Sequence, residues 1–282
     1  MKQILVISGK GGTGKTILTG AFSALIENKV MVDCDVDAAD LHLLLSPIIK
    51  ERNDFRSGKT AIIDKDKCTQ CGKCIELCRY DAISADFIID PIACEGCSFC
   101  GHICPSEAIE MQENESGEWY ISDTRFGSLV HARLGIAEEN SGKLVSLVRA
   151  KAKELAEKEN CDWIIIDGPP GIGCPVIASL TGIDCALVVT EPTLSGLHDA
   201  KRVIEVARHF KVPVKLVINK YSLNADMTKQ IEEYCRQNNI PVAGRIPFDR
   251  TIVAAMVEGK TIIEYSNGKF KEMINDIWKK LI

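Results

Sequence analysis

Short β-branched runs alternate along this chain with longer stretches whose apolar residues recur every three to four positions, a rhythm that predicts a parallel sheet wrapped by helices. The predicted strands are QILVIS (3–8), KVMVDC (29–34), WIIID (163–167), CALVVT (185–190), VKLVIN (214–219) and VAGRIP (242–247). Their continuous apolar character fits strands buried on both faces. Predicted helices cover 15–27, 142–159 with a Lys/Glu-rich solvent face, 195–210, 225–239, 249–258 and 268–281. The expected fold class is α/β, a doubly wound and mostly parallel sheet. In the last helix Phe270, Met273, Ile274, Ile277, Trp278 and Leu281 share one face. Such a stripe docks on a sheet or lies on a membrane surface, and docking is the favoured reading.

Residues 58–115 break this rhythm with an internal repeat at an offset of 26 residues. IID at 62–64 recurs at 88–90, and DAI at 81–83 recurs as EAI at 107–109. Cys68, Cys71, Cys74 and Cys78 recur as Cys94, Cys97, Cys100 and Cys104. A strand, a cysteine loop and a short helical turn used twice make a small inserted domain. The expected organisation is a large domain in two parts, 1–57 and 116–282, interrupted by 58–115.

Composition narrows the class. With 282 residues, 46% apolar and 26% charged, the chain buries a full core. A formal charge of −5 argues against nucleic acid as the main partner. The opening MKQILVISG is too short and wrongly flanked for a signal peptide, and no run reaches the length of a membrane span, so the expected location is cytoplasmic. Of 13 cysteines, eight crowd into 68–104, which favours metal over disulfides. Cys34, Cys161, Cys174, Cys185 and Cys235 lie among apolar neighbours and read as small buried hydrophobes. His42, His102, His131, His198 and His209 show no metal spacing and are expected at the surface or at caps.

Each cysteine run is C-x2-C-x2-C-x3-C, the spacing with which thiolates wrap an iron–sulfur cube while the fourth cysteine reaches to a neighbouring cube. A zinc module, the alternative, wants four ligands in two knuckles rather than two uninterrupted quartets. The runs resemble those of the bacterial two-cluster ferredoxins. That resemblance implies an α+β ferredoxin-like domain with two [4Fe–4S] clusters. Cys68, Cys71, Cys74 and Cys104 would hold one, and Cys94, Cys97, Cys100 and Cys78 the other. Pro105 agrees with the ferredoxin pattern, whereas Arg79 stands where the first run would carry its proline.

Gly9-Lys10-Gly11-Gly12-Thr13-Gly14-Lys15-Thr16 matches G-x-x-x-x-G-K-[ST] between a predicted strand and a predicted helix. Its glycines let backbone N–H groups converge on phosphate oxygens at a helix N-terminus. Lys15 neutralises the outer phosphates and the Thr16 hydroxyl takes Mg²⁺. With Lys10 the loop resembles the deviant Walker A of the MinD/Mrp/ParA class, which includes the nitrogenase iron protein. MVDCDVDAADLHLLL (31–45) resembles its switch I, WIIIDGPPG (163–171) its Walker B and switch II, and VINK (217–220) its adenine-reading segment. As a unit the chain is similar to MinD/Mrp-type ATPases that carry an inserted ferredoxin domain.

The resemblance implies ATP with Mg²⁺ and a nucleotide-sandwich homodimer in which Lys10 reaches the nucleotide of the other subunit. Asp35 would stand near the attacking water and Mg²⁺, supported by Asp33 and Asp37, and Asp167 would hold a magnesium-bound water. Gly168 and Gly171 would leave room for the γ-phosphate. Asn219 would contact adenine, and YSLNAD after Lys220 is no guanine motif. Three functions are expected in order: ATP-coupled assembly or delivery of a metallocluster to a client, an ATP-gated reductase component serving a redox partner, and a spatial-positioning ATPase. Cys174 stands seven residues after Asp167, the offset of a dimer-bridging cluster ligand in the nitrogenase iron protein, but a buried structural role before Pro175 is favoured. RLGIAEENSGKLV (133–145) reads as an ordered loop before a helix, with Ser141 as its cap.

Overall fold

The computed structural model describes every residue except 136–139 and 267. The chain runs β1 (Lys2–Ser8), α1 (Lys15–Leu25), β2 (Lys29–Asp33), α2 (Leu41–Leu45), β3 (Ile48–Ile63), α3 (Lys73–Glu76), α4 (Phe99–Ile103), β4 (Ile109–Thr124) and β5 (Gly127–Leu134). It continues α5 (Ser141–Lys158), β6 (Trp163–Pro170), α6 (Cys174–Leu180), β7 (Cys185–Thr190), α7 (Leu194–His209), β8 (Val214–Asn219), α8 (Ala225–Gln237), β9 (Val242–Ile246), α9 (Arg250–Val257), α10 (Ile262–Tyr265) and α11 (Lys271–Lys279). The loop expected over 133–145 falls partly on 136–139, outside the described residues, and α5 begins at Ser141.

The sheet has nine strands in the order β3-β4-β5-β2-β6-β1-β7-β8-β9. All pairings from β5 across to β9 are parallel. β4 and β5 are neighbours joined through Arg125 and Phe126 alone, a connection short enough only for an antiparallel hairpin. The six predicted strands all form; β3, β4 and β5 are additional. Most positions of β3 are exposed, so its sequence IIKERNDFRSGKTAII lacks the alternation that marks a half-buried strand.

The chain folds as two compact units. The first comprises Met1–Asn53, Trp119–Arg133 and Ser141–Ile282, and the second Asp54–Glu118 with Leu134–Asn140. In the first, alternate residues of the buried strands supply a core on one face of the sheet, where Ile4, Val6, Met31, Ile165 and Leu187 meet Leu18, Phe22, Phe270 and Trp278. The C-terminal stripe docks there: Phe270, Ile274, Ile277, Trp278 and Leu281 are buried, and Trp278 packs 5.3 Å from Phe22 and 4.9 Å from Trp163. Gly244 of β9 leaves room for Ile277, since a Cβ there would lie 2.4 Å from its Cγ1. Helices α5, α6 and α7 pack on the sheet through β2, β6 and β7. Among the described residues no helix is long and apolar enough to cross a membrane.

Candidate functional site

Parallel strands end together, and the carboxyl ends of β1, β2, β6, β7 and β8 bring their last residues to one rim of the sheet. The register sets Val6 beside Asp167 and Asp167 beside Asp33. The loop 9–14 leaves β1 and enters α1 on this rim. Two of its glycines answer a steric demand. A Cβ on Gly9 would lie 2.4 Å from the Asp199 backbone, and one on Gly14 would lie 2.2 Å from Asn219 Nδ2, with Gly14 at φ +96°. Gly14 gives α1 no side-chain cap, so the first N–H groups of the helix face the loop without that partner. Gly11 and Gly12 are exposed, Thr16 is half-buried in the first turn, and the Thr13 carbonyl accepts a 2.7 Å hydrogen bond from Asn219 Nδ2.

Lys15 is buried with its Nζ 3.6 Å from Asp35 Oδ2. Burial pushes the Asp35 carboxyl up to about 6, against the pull of Lys15. Asp33, fully buried, accepts the N–H groups of Asp35 and Leu41 at 3.1 Å each and so shapes the turn that presents Asp35. Burial and the neighbouring Asp167 raise its carboxyl well above the usual range. Asp167 accepts from Thr19 Oγ1 at 3.0 Å through Oδ1, while its Oδ2 is buried and accepts no hydrogen bond. Burial raises the Asp167 carboxyl too, opposed first by Lys15. A buried carboxylate oxygen left bare is costly. Oxygen donors of this kind suit hydrated Mg²⁺, so Thr16, Asp35 and Asp167 fit that ion.

Of the residues expected at the nucleotide, the rim gathers Lys15, Asp35, Asp167, Asn219 and the glycine loop. Asp37 is exposed, and its charge disfavours ionisation of the nearby Asp35 carboxyl. Gly168 lies tight against β1, where a Cβ would come within 2.7 Å of Leu5 Cδ1, and the Gly171 N–H donates to the Ser8 carbonyl at 3.0 Å with φ +92°. Lys10 lies 2.7 Å from Glu191 Oε1 and donates to Ser195 Oγ at 3.0 Å. Glu191 Oε2 takes Lys220 Nζ at 3.0 Å, and Lys220 also donates to the Gly12 carbonyl. Sequence reasoning missed Glu191, Ser195 and Thr19, and named Lys220 only as the end of the VINK segment. The signal for Glu191 was its place directly after a fully buried strand, where a charged side chain reaches the rim.

In the second unit the repeat is reproduced in backbone geometry. Asp64 N–H donates to the Ala108 carbonyl and Asp90 N–H to the Ala82 carbonyl, both at 2.8 Å, so each repeat opens against the close of the other. Positive φ recurs at Gln70 and Gly96, Gly72 and Ser98, Asp81 and Glu107. One cavity is lined by Cys68, Cys71, Cys74 and Cys104. A second is lined by Cys94, Cys97, Cys100 and Cys78, with Cys74 also on its wall. Among the described residues no three His, Cys, Asp or Glu side chains converge to hold a single metal ion.

Two expectations on isolated residues are overturned. His131 is buried, 4.9 Å from the Tyr120 ring and with Nε2 3.0 Å from Ser122 Oγ; burial, then His42, lowers its pKa to about 4. Its place on β5, between buried Val130 and Ala132, takes it off the surface. Cys174 is exposed because it opens α6 before Pro175 rather than filling the core, and Cys161 is only partly buried.

Residues 4–262 match the family described as the CobQ/CobB/MinD/ParA nucleotide binding domain. An uncharacterized protein of Methanocaldococcus jannaschii is 36% identical over 285 residues, covering 99% of this chain and 96% of that one. The fold is similar to the cell division ATPase MinD of Pyrococcus furiosus, with TM-score 0.61 and 21% identity over 100% of this chain and 99% of that one. It is also similar to the septum site-determining protein MinD of Pyrococcus horikoshii complexed with Mg-ADP, with TM-score 0.60 and 18% identity over 99% and 95% of the two chains. A glycine loop entering α1, a buried lysine against Asp35 and a parallel sheet that ends beside them thus accompany a match over most of the sequence, and the chain belongs to the CobQ/CobB/MinD/ParA nucleotide-binding domain family.

Proposed function

We propose that the chain is a slow, partner-stimulated ATPase switch that binds ATP with Mg²⁺ and pairs with a second copy around the nucleotide. The observation that carries this reading is buried Lys15 opposite Asp35, next to an Asp167 oxygen that accepts no hydrogen bond. Lys15 meets the outer phosphates and Asn219, anchored to the Thr13 carbonyl, stands beside the base. Thr16, Asp35 and Asp167 would hold the hydrated Mg²⁺, which when bound would supply charge neutralisation at the phosphates. Asp35 orients the attacking water, and water orientation together with charge stabilisation is most of what such a reaction requires. One named structural neighbour is a cell division ATPase and the other a septum site-determining protein, which agrees with the spatial-positioning reading. They do not carry the expectations of cluster assembly, delivery to a client or electron gating.

Within that switch we read the cysteine unit as a holder of two [4Fe–4S] clusters. Its support is the division of eight cysteines between two cavities, with Cys104 beside the first triplet and Cys78 beside the second. Such clusters, when bound, exchange single electrons. In chain order α2 is followed by β3, whose residues lead into the cysteine unit. The nucleotide-responsive segment and the cysteines are therefore consecutive in sequence.

ATP titration followed by calorimetry, with phosphate release and analytical ultracentrifugation on the same samples, tests the switch. Wild type should bind, hydrolyse and self-associate with ATP and Mg²⁺, and Lys15→Ala should bind about ten- to a hundredfold more weakly and lose hydrolysis and self-association. Absence of ATP binding by wild type would remove the proposal.

A further inference from the structure

Three cationic and anionic side chains on the rim form one chain of contacts. Lys10 Nζ lies 2.7 Å from Glu191 Oε1, and Lys220 Nζ lies 3.0 Å from Glu191 Oε2, so each carboxylate oxygen holds one ammonium. Lys10 also donates to Ser195 Oγ, which is 3.3 Å from Thr193 Oγ1, and Lys220 donates to the Gly12 carbonyl inside the glycine loop. Glu191 is 17% exposed at its side chain and both lysines 30%, so the pairs are only partly screened by water. Burial alone would raise the Glu191 carboxyl, yet Lys10 and Lys220 together hold it below its ordinary value.

A triphosphate entering the loop brings negative charge to a place where Glu191 already neutralises two lysines. Phosphate and Glu191 compete for the same ammonium groups, and Lys10 is not free to reach another molecule while it is held within its own chain. We propose that Glu191 is a positioning residue that restrains Lys10 in the nucleotide-free chain and thereby sets the ATP concentration at which two copies associate. The second half of this statement rests on the sandwich-dimer reading above.

Two measurements on the full chain separate the proposal from that reading. Acetylation of Lys10 by an N-hydroxysuccinimide ester, followed by mass spectrometry without nucleotide, reads the restraint alone. Glu191→Gln should raise the Lys10 rate about two- to fivefold, the range for a partly exposed ion pair, and Glu191→Asp should restore most of the protection. An unchanged Lys10 rate in Glu191→Gln overturns the restraint. Sedimentation against ATP concentration then reads its consequence. Half-maximal association should fall about two- to fivefold in ATP for Glu191→Gln. An equal or higher ATP requirement overturns the gating role. If Lys10 is released yet neither protein associates at any ATP concentration, the restraint stands and the sandwich-dimer reading fails.

Discussion

Asp35 holds its proton to an unusual pH because burial disfavours the carboxylate more than Lys15, 3.6 Å away, favours it. The folded chain keeps this group protonated up to about 6, against an ordinary value of 3.8. Between those values the folded state binds more protons than the unfolded one. Stability from this group is therefore full below pH 3.8 and lost as pH rises through about 6. Thermal unfolding of the nucleotide-free protein from pH 4 to 7 should show a falling midpoint, and Asp35→Asn should flatten that fall. Some slope should persist in the variant, because the Asp33 and Asp167 carboxyls are raised as well. Lys15→Ala should weaken ATP binding about ten- to a hundredfold by calorimetry, as expected for losing a charged hydrogen-bonding group in a buried site. Both residues were legible from the glycine-loop pattern and the acidic segment after the second strand. Thr19 was not, since a threonine inside a helix carries no pattern of its own, and Glu191 had only its place after a buried strand, which names no partner.

At the scale of elements, the loop and α1 depend on Gly14. Its φ of +96° is costly for any residue with a Cβ, and that atom would meet Asn219 Nδ2 at 2.2 Å. Gly14→Ala should cost about 1–2 kcal/mol of stability by urea unfolding from the backbone alone. Nucleotide affinity should fall further, because the displaced Asn219 also loses its bond to the Thr13 carbonyl. Trp278→Ala removes the aromatic that ties α11 to Phe22 and Trp163 and should destabilise by about 3–5 kcal/mol in the same assay. The apolar stripe of α11 was readable because a helix period shows in any amphipathic run. Short α2, α6 and α10 went unread, as four to seven residues hold too few turns to show that period. The long β3 escaped for the opposite reason, with polar residues on both faces over 16 positions.

For the whole molecule, the two cysteine cavities make a prediction that neither run makes alone. Anaerobically purified protein should contain about eight irons per chain with matching sulfide. Cys78→Ser should lose roughly half of that iron, and the remaining cluster signal in electron paramagnetic resonance should be insensitive to changes at Cys94 or Cys97. Loss of all iron, or zinc without sulfide in wild type, would count against the cluster reading. The sequence by itself determined the periodic strands and helices, the glycine loop and the twofold cysteine repeat, because local period and spacing are written in neighbouring residues. Only the tertiary structure decided that Asp33 accepts the N–H groups of Asp35 and Leu41, that Glu191 holds Lys10 and Lys220, and that β3, β4 and β5 extend the sheet. Strand order and register bring together side chains more than a hundred residues apart, and no local pattern encodes the meeting of Lys10 with Glu191.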